Sequence, residues 1–130
     1  ELVAELGLSN DVHYTGMYDD SEKYSLLNNA ELFIHLSLYE GFGLPVLEAM
    51  ACGCPVISSN TSSLPEVVGK AGMLVHPRDE EEFIEAMTKV LTDTEFTDTL
   101  RRSGREQAAK FSWEKTAKAT ADLYERIGQA

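Results

Sequence analysis

Short apolar segments that alternate with helix-type patterns are the feature that most restricts how this chain can fold. Residues 32–36 form the clearest segment, too short for a helix and almost continuously apolar, as buried parallel strands are. Residues 12–15, 55–58 and 73–75 have the same strand-like character. Strands that alternate with helices are typical of a parallel sheet with crossover helices. We therefore predict a three-layer α/β/α fold built on a parallel sheet of about four strands.

Residues that favour helix ends divide the middle of the chain. Ser21 is predicted to cap a helix that precedes residues 32–36. Pro45 is predicted to begin a second helix, because proline in a first helical turn costs no hydrogen bond. Gly53 is predicted to end that helix, since a left-handed helix terminus favours glycine.

The last third of the chain is predicted to be helical. Asp79 and Glu82 have the spacing of a capping box, and the helix that follows has an apolar stripe of Phe83, Ile84, Met87, Val90 and Leu91. A further helix over residues 95–110 directs Phe96 and Leu100 inwards. Ser112 is predicted to cap the last helix, with an apolar face of Trp113, Ala117, Tyr124 and Ile127.

The charge balance excludes several classes of partner. The 130 residues include 22 acidic and 11 basic side chains, a formal net charge of -11, so the chain repels phosphate backbones and anionic lipid surfaces. We therefore expect no nucleic-acid partner. No apolar run approaches the roughly 18 residues of a membrane span. A length of 130 residues is typical of one domain, and 43% hydrophobic residues are enough for a single core, so we predict one domain over residues 1–130.

The cysteines and histidines do not form a metal-ligand pattern. Cys52 and Cys54 are one residue apart in an apolar setting, which is typical of reduced, buried cysteines and indicates a reducing, cytoplasmic compartment. His13, His35 and His76 are scattered, and we expect structural roles for them. The sequence thus predicts no metal site.

The loop over residues 39–44 is the best candidate for binding. Gly41 and Gly43 follow a predicted strand and precede a helix, whose first amides and positive dipole end suit a phosphate. Glu40 and Glu48 frame this loop, eight positions apart, and carboxylates accept hydrogen bonds from vicinal sugar hydroxyls. Ligands of open α/β sheets bind at this edge of the sheet. Two simpler interpretations stay open: Glu40 caps the turn, and Glu48 is an ordinary surface residue.

Residues 33–57, FIHLSLYEGFGLPVLEAMACGCPVI, resemble the signature of the retaining family-4 glycosyltransferases, two-domain enzymes of the GT-B class. Glu40 and Glu48 match the E-x7-E pattern of that family. Residues 63–69 and the run Phe111-Ser112-Trp113 match its other landmarks, so the resemblance spans almost the whole chain. It implies a Rossmann-like partial C-terminal domain that binds a nucleotide-diphosphate sugar, with the acceptor domain absent.

The resemblance also implies roles for individual residues. Glu40 would contact the donor sugar as the catalytic carboxylate, and Glu48 would bind the ribose hydroxyls. The backbone of four residues would face the sugar and the diphosphate: Gly41, Phe42, Gly43 and Leu44. Met17 and Tyr18 would lie near the base. The donor would be a UDP-, GDP- or ADP-sugar, transferred with retention and without a cofactor or a metal.

Three further expectations concern residues near this loop and the place of the parent protein. Glu66 is expected to cap a helix rather than to bind a ligand. Residues 58–60 follow a strand and are weak candidates for the cleft wall. The parent enzyme is expected in the cytoplasm, with peripheral membrane attachment through the missing domain left open.

Positive charge is missing from the predicted donor site. No Lys or Arg occurs between residues 24 and 69, although a nucleotide diphosphate leaving group needs a cation. Members of the family supply an Arg and a Lys from earlier segments that are absent here. We therefore expect this chain to retain part of the donor site and to be inactive alone.

The expected sheet order raises a second question. The family's sheet has six strands in the order 3-2-1-4-5-6, and the four predicted here are the last four. The segments 12–15 and 32–36 would then lack their neighbours. We expect the two segments to pair directly, to self-associate through open edges, or to be completed by part of a larger protein.

Two alternative functions remain open from the sequence. One is a glycogen or sucrose synthase-like GT-B enzyme, which shares the loop pattern. The other is a non-catalytic nucleotide-sugar-binding or assembly module.

Overall fold

The computed structural model describes residues 1–128 of the chain, in which a parallel sheet has three strands. These are β1 (Phe33–His35), β2 (Val56–Ser59) and β3 (Met73–Val75). The strands lie in the order β1-β2-β3, with Ile34 opposite Ile57 and Ser58 opposite Leu74. The predicted parallel α/β fold is confirmed with three of its four strands.

The fourth predicted strand, over residues 12–15, is wrong. Residues 12–15 adopt no strand, and all residues from 11 to 20 are exposed. Strand backbone is stabilised by hydrogen bonds to a neighbouring strand, and residues 12–15 pair with none of the three strands that residues 1–128 form. The predicted direct pairing of residues 12–15 with residues 32–36 therefore does not occur, and the outer edge of β1 is unpaired within the described part of the chain.

Seven helices occur within residues 1–128. They are α1 (Leu2–Glu5), α2 (Asp20–Asn29), α3 (Leu44–Ala51), α4 (Leu64–Val68), α5 (Glu80–Thr92), α6 (Thr94–Ala108) and α7 (Trp113–Gly128). None of them combines the length and the apolar character that a membrane span requires.

The predicted caps are confirmed at three helix ends and wrong at the start of α2. Gly53 follows α3 at φ 74°, Asp79 accepts the amide of Glu82 at the start of α5, and Ser112 Oγ accepts an amide at the start of α7. The cap of α2 is Asp19, not Ser21. Asp19 forms a complete capping box with Glu22, because its carboxylate accepts the Glu22 amide and Glu22 accepts the Asp19 amide.

Both faces of the sheet are covered by helices, with β2 buried at the centre. Val56 packs on one face in a cluster with residues of α3 and α4, such as Val46 and Val67. Ile57 points to the opposite face and packs with residues of α5 and α6, such as Val90. This alternation along β2 produces the three-layer arrangement and fixes α3 against the sheet.

Two predicted apolar faces are more exposed than expected. On α5, Ala86 and Val90 are buried, whereas Ile84 and Leu91 are about half exposed because the buried stripe is narrower than the sequence pattern. On α7, the predicted face is exposed throughout, with Trp113 at 73% and Tyr124 at 71%.

Candidate functional site

Gly43 and Pro45 lie at the N-terminal end of α3, and neither forms a side-chain cap hydrogen bond there. Gly43 is the N-cap in the left-handed conformation (φ 103°, ψ 41°), and no side chain caps the helix. A β-carbon at Gly43 would lie 2.7 Å from Leu64 Cδ2, so the turn requires glycine here. Pro45 in the first turn contributes no N–H. Because no side chain among residues 1–128 caps α3, its positive end is available to an anion.

The loop before α3 is held in place by serine side chains from the segment before α4. Ser62 Oγ accepts the Glu40 amide at 3.3 Å and donates to the Glu40 carbonyl at 2.7 Å. Ser63 Oγ donates to the carbonyls of Glu40 and Phe42 at 3.2 and 2.9 Å. Ser62 itself has φ 56°, an uncommon conformation outside glycine. These bonds fix the main chain of the loop.

The Glu40 carboxylate is paired with a histidine from the sheet. Its Oε1 lies 2.8 Å from Nε2 of His35, and both side chains are largely covered, with 28% and 23% of their surface exposed. The hydrogen bond from His35 lowers the pKa of Glu40 below its ordinary value. Glu40 is therefore ionised at neutral pH and able to accept a hydrogen bond or to face a developing positive charge.

Glu48 lies one turn into α3 and is paired with a lysine. Its Oε1 accepts a hydrogen bond from Lys23 Nζ at 3.1 Å. Lys23 belongs to α2 and also contacts Asp20 at 3.0 Å. Hydrogen bonds to Asp20 and then to Glu48 raise the pKa of Lys23, so the ammonium stays charged. The site thus contains a cation that lies just outside the Lys- and Arg-free stretch of residues 24–69.

The structure brings several of these groups to one cavity. Its volume is about 790 Å³, within the usual range for small-molecule sites. Tyr18, Lys23, His35, Pro45 and Glu48 are among its lining residues. Glu48 lines the cavity directly, whereas Glu40 and residues 41–44 are not among its lining residues, and Glu40 contacts only His35, which does line it.

The loop side chains lie on the solvent side. Gly41 is exposed, and a β-carbon there would meet nothing within 4 Å, which leaves room for a ligand. Phe42 and Leu44 are 40% and 45% exposed. Phe42 packs edge to face on Phe111, with ring centroids 5.7 Å apart.

Other predicted residues have different positions. The hydroxyls of Ser58 and Ser59 are buried and donate to the carbonyls of His35 and Ser37, so they join strands rather than line a cleft. Glu66 is exposed in the first turn of α4, and no side-chain hydrogen bond caps that helix within residues 1–128, so the expected cap is wrong. Met17 is fully exposed.

Four contributing residues were missed by the sequence analysis. Lys23 and His35 pair with the two glutamates, and Ser62 and Ser63 hold the loop. The sequence gives only a weak indication that His35 contacts Glu40: it lies five residues before Glu40, at the end of a strand. The serine and lysine contacts span 21 to 25 residues, and no local pattern indicates them. Among residues 1–128, no group of three or more His, Cys, Asp or Glu side chains is arranged to hold a metal ion.

Comparison with known proteins gives consistent matches. Residues 1–107 match the family model described as Glycosyl transferases group 1. The chain is 41% identical over 130 residues to the serotype-specific mannosyltransferase WbdA of Escherichia coli. The aligned region covers 99% of this chain and 16% of that protein.

Two solved structures show the same fold at clear sequence identity. A sucrose-phosphate synthase from Thermosynechococcus elongatus is 34% identical with a TM-score of 0.88, over 98% of this chain and 33% of that one. Anabaena HepE, solved in complex with UDP and glucose, is 26% identical with a TM-score of 0.86, over 95% of this chain and 34% of that one. This chain therefore spans between 16% and 34% of these relatives' own lengths.

Proposed function

Because the chain belongs to the glycosyl transferases group 1 family, we propose that it is the donor-binding part of a retaining family-4 glycosyltransferase of the GT-B class. Residues 1–130 form a partial C-terminal nucleotide-sugar-binding domain, and a domain outside this chain holds the acceptor. The observation that carries the proposal is the loop over residues 40–43, held by Ser62 and Ser63 in front of the uncapped start of α3.

The two glutamates have different roles in this proposal. Glu40, kept ionised by His35, contacts the donor sugar and stabilises positive charge that develops at its anomeric carbon. Glu48 accepts hydrogen bonds from the ribose hydroxyls. The backbone at Gly41, Phe42, Gly43 and Leu44 faces the sugar and the diphosphate.

The proposed reaction is transfer of a sugar from a nucleotide diphosphate. The bond between the anomeric carbon and the phosphate oxygen breaks, and the diphosphate leaves with the electron pair. The acceptor hydroxyl forms the new bond on the same face of the sugar, and its proton passes to the leaving diphosphate. The positive end of α3 stabilises the negative charge that forms there.

The donor is a UDP-, GDP- or ADP-sugar. The HepE complex with UDP and glucose supports a nucleoside diphosphate, and the likeness to the mannosyltransferase WbdA supports a hexose.

The free thiols of Cys52 and Cys54 support a reducing, cytoplasmic compartment.

A second candidate function is that of a sucrose synthase-like GT-B enzyme. The 34% identity to the sucrose-phosphate synthase favours it. The first candidate leaves the base of the donor open, whereas the second would take UDP-glucose, so a thermal-shift screen of the chain with GDP-mannose, UDP-glucose and ADP-glucose tests the second. Stabilisation by UDP-glucose alone favours the second candidate, and stabilisation by GDP-mannose or ADP-glucose favours the first.

Binding is tested by NMR titration of the chain with UDP, GDP and ADP. We expect saturable shifts at residues 40–48 with at least one of them. Glu48→Gln should weaken that affinity, whereas Glu81→Gln, an equal change of charge on the exposed first turn of α5, should not. Absence of saturable shifts with all three nucleotides would overturn the proposal.

Catalysis is tested in the full-length parent. Glu40→Ala is expected to abolish sugar transfer while nucleotide binding persists. Intact transfer by that variant would instead favour a non-catalytic role for this loop.

A further inference from the structure

The ion pair between Lys23 and Glu48 joins two helices at the rim of the candidate cavity. Lys23 Nζ lies 3.1 Å from Glu48 Oε1, and the two residues are 25 positions apart. The side chains keep 22% and 32% of their surface exposed, so the pair is partly shielded from water. This contact uses one carboxylate oxygen of Glu48.

Lys23 is itself held by other groups. Asp20, one turn earlier on α2, lies 3.0 Å from the same ammonium. The ring of Tyr24 lies below the ammonium at 4.8 Å from its centroid. An ammonium has three donors, and these partners restrict where they point. Lys23 therefore offers Glu48 a fixed partner rather than a mobile surface charge.

Lys23 is a positive charge in a part of the chain that is otherwise poor in basic residues. The whole sequence has a net charge of -11, and no Lys or Arg lies between residues 24 and 69. Lys23 is the one Lys or Arg among the described residues that line the cavity. Without it, Glu48 would face the cavity as an unpaired carboxylate with several side-chain rotamers open to it.

We propose that Lys23 is a positioning residue for Glu48: it holds Oε1 and leaves Oε2 to accept a ribose hydroxyl, and so sets how strongly the site prefers nucleotides that carry ribose hydroxyls. This inference rests on the proposed function, because it deepens the role of Glu48 in donor binding. An ion pair that stays in contact with water contributes little to folding, so the loss of Lys23 should change ligand preference more than stability.

The experiment compares UDP with 2′,3′-dideoxy-UDP by NMR titration of the chain. Lys23→Met removes the cation, and Lys23→Arg retains it. Lys89→Met is the matched control, because Lys89 also lies over an aromatic ring, Phe96 at 4.1 Å, but on α5 away from the cavity. Glu48→Gln and its combination with Lys23→Met test whether Lys23 acts through Glu48.

We expect the unchanged chain to bind UDP at least about tenfold more tightly than the dideoxy nucleotide, the equivalent of one hydrogen bond to a charged acceptor. Lys23→Met should reduce this preference to about threefold or less with little change in dideoxy affinity. Lys23→Arg should restore most of it. In the Glu48→Gln background, Lys23→Met should have no further effect.

Two results would overturn the inference while leaving the proposed function intact. In one, Lys23→Met weakens both nucleotides equally, which assigns Lys23 to the diphosphate rather than to Glu48. In the other, the preference for UDP survives Lys23→Met unchanged. If the unchanged chain binds neither UDP, GDP nor ADP, the proposed function fails and this inference fails with it.

Discussion

The guanidinium of Arg105 lies directly over Gly53, the glycine that follows α3. A β-carbon at Gly53 would lie 2.3 Å from Arg105 Cζ. Arg105 Nη2 donates to the Cys52 carbonyl at 3.4 Å, and Arg101 Nη1 donates to the Gly53 carbonyl at 3.3 Å. Two cations of α6 therefore satisfy carbonyls at the end of α3, where the helix dipole favours positive charge.

Gly53→Ala is expected to destabilise the chain. Gly53 has φ 74°, which costs a residue with a β-carbon about 1–2 kcal/mol, and the new methyl group also displaces Arg105. Urea unfolding measures the difference. Gly41→Ala is the control, since a β-carbon there meets open space. Equal stability of the two variants would contradict the prediction.

Gly104→Ala is expected to have the opposite effect. Gly104 lies inside α6, and a β-carbon would make ordinary contacts of 3.6–3.7 Å with Met50. Alanine lowers the backbone entropy of the unfolded chain, so the free energy of unfolding should rise by about 0.5–1 kcal/mol. A fall in the urea midpoint would show that α3 and α6 are too close for a methyl group.

Ser63→Ala is expected to loosen the loop before α3. The variant loses the donor to the carbonyls of Glu40 and Phe42. Hydrogen exchange at residues 40–43 should become about five- to tenfold faster. Ser103→Ala, which loses a hydroxyl bonded to the Thr99 carbonyl in α6, is the control and should leave exchange in the loop unchanged. Unchanged exchange in Ser63→Ala would mean that Ser62 alone holds the loop.

The buried thiol of Cys54 is expected to make the free energy of unfolding depend on pH in the alkaline range. Burial raises the pKa of Cys54 to about 11, above an ordinary value of about 8.5. Between these values the folded chain keeps a proton that the unfolded chain loses, so stability falls as pH rises. The contribution is complete below about pH 8.5 and is lost towards pH 11, with a slope of at most about 1.4 kcal/mol per pH unit. Cys54→Ala should flatten the curve from urea unfolding at pH 8–11, and parallel curves would refute this.

The edge of β1 that is unpaired within residues 1–128 is expected to promote self-association. Ile34, at the centre of this strand, is 42% exposed, and an apolar open edge is a template for another strand. Light scattering after size exclusion should show concentration-dependent oligomers. Ile34→Lys should shift the population towards monomer, because a charge on an edge strand opposes pairing. A monomer at all concentrations for the unchanged chain would remove the proposal.

Sequence patterns predicted the elements whose signals are local. Gly53, Asp79 and Ser112 mark helix ends, and each does so through contacts within a few residues. The strand predicted at residues 12–15 is wrong because a strand depends on pairing with a neighbour, and this segment pairs with none of β1, β2 and β3. Asp19 and Ser21 are both capping residue types, and the Glu22 side chain favours Asp19 through its bond to the Asp19 amide.

The backbone of the candidate site could be predicted from the sequence, whereas the side chains that contact its glutamates and its loop could not. Glycine at position 43 has a local reason, the left-handed turn beside Leu64. The Lys23–Glu48 contact depends on how α2 is placed beside α3, and the serine contacts depend on how the segment before α4 approaches the loop. Such distances are set by packing of the whole domain, which a single sequence does not display.

The loop over residues 40–43 is supported through its main-chain groups, so its shape is largely independent of its side chains. Ser62 and Ser63 act on the Glu40 amide and on the carbonyls of Glu40 and Phe42. Protein engineers can therefore treat the two serines as a fixed frame and randomise Leu44, which is 45% exposed, while Phe42 is retained because its ring packs on Phe111. A library of this kind would vary the surface offered to a ligand while the scaffold beneath it stays the same.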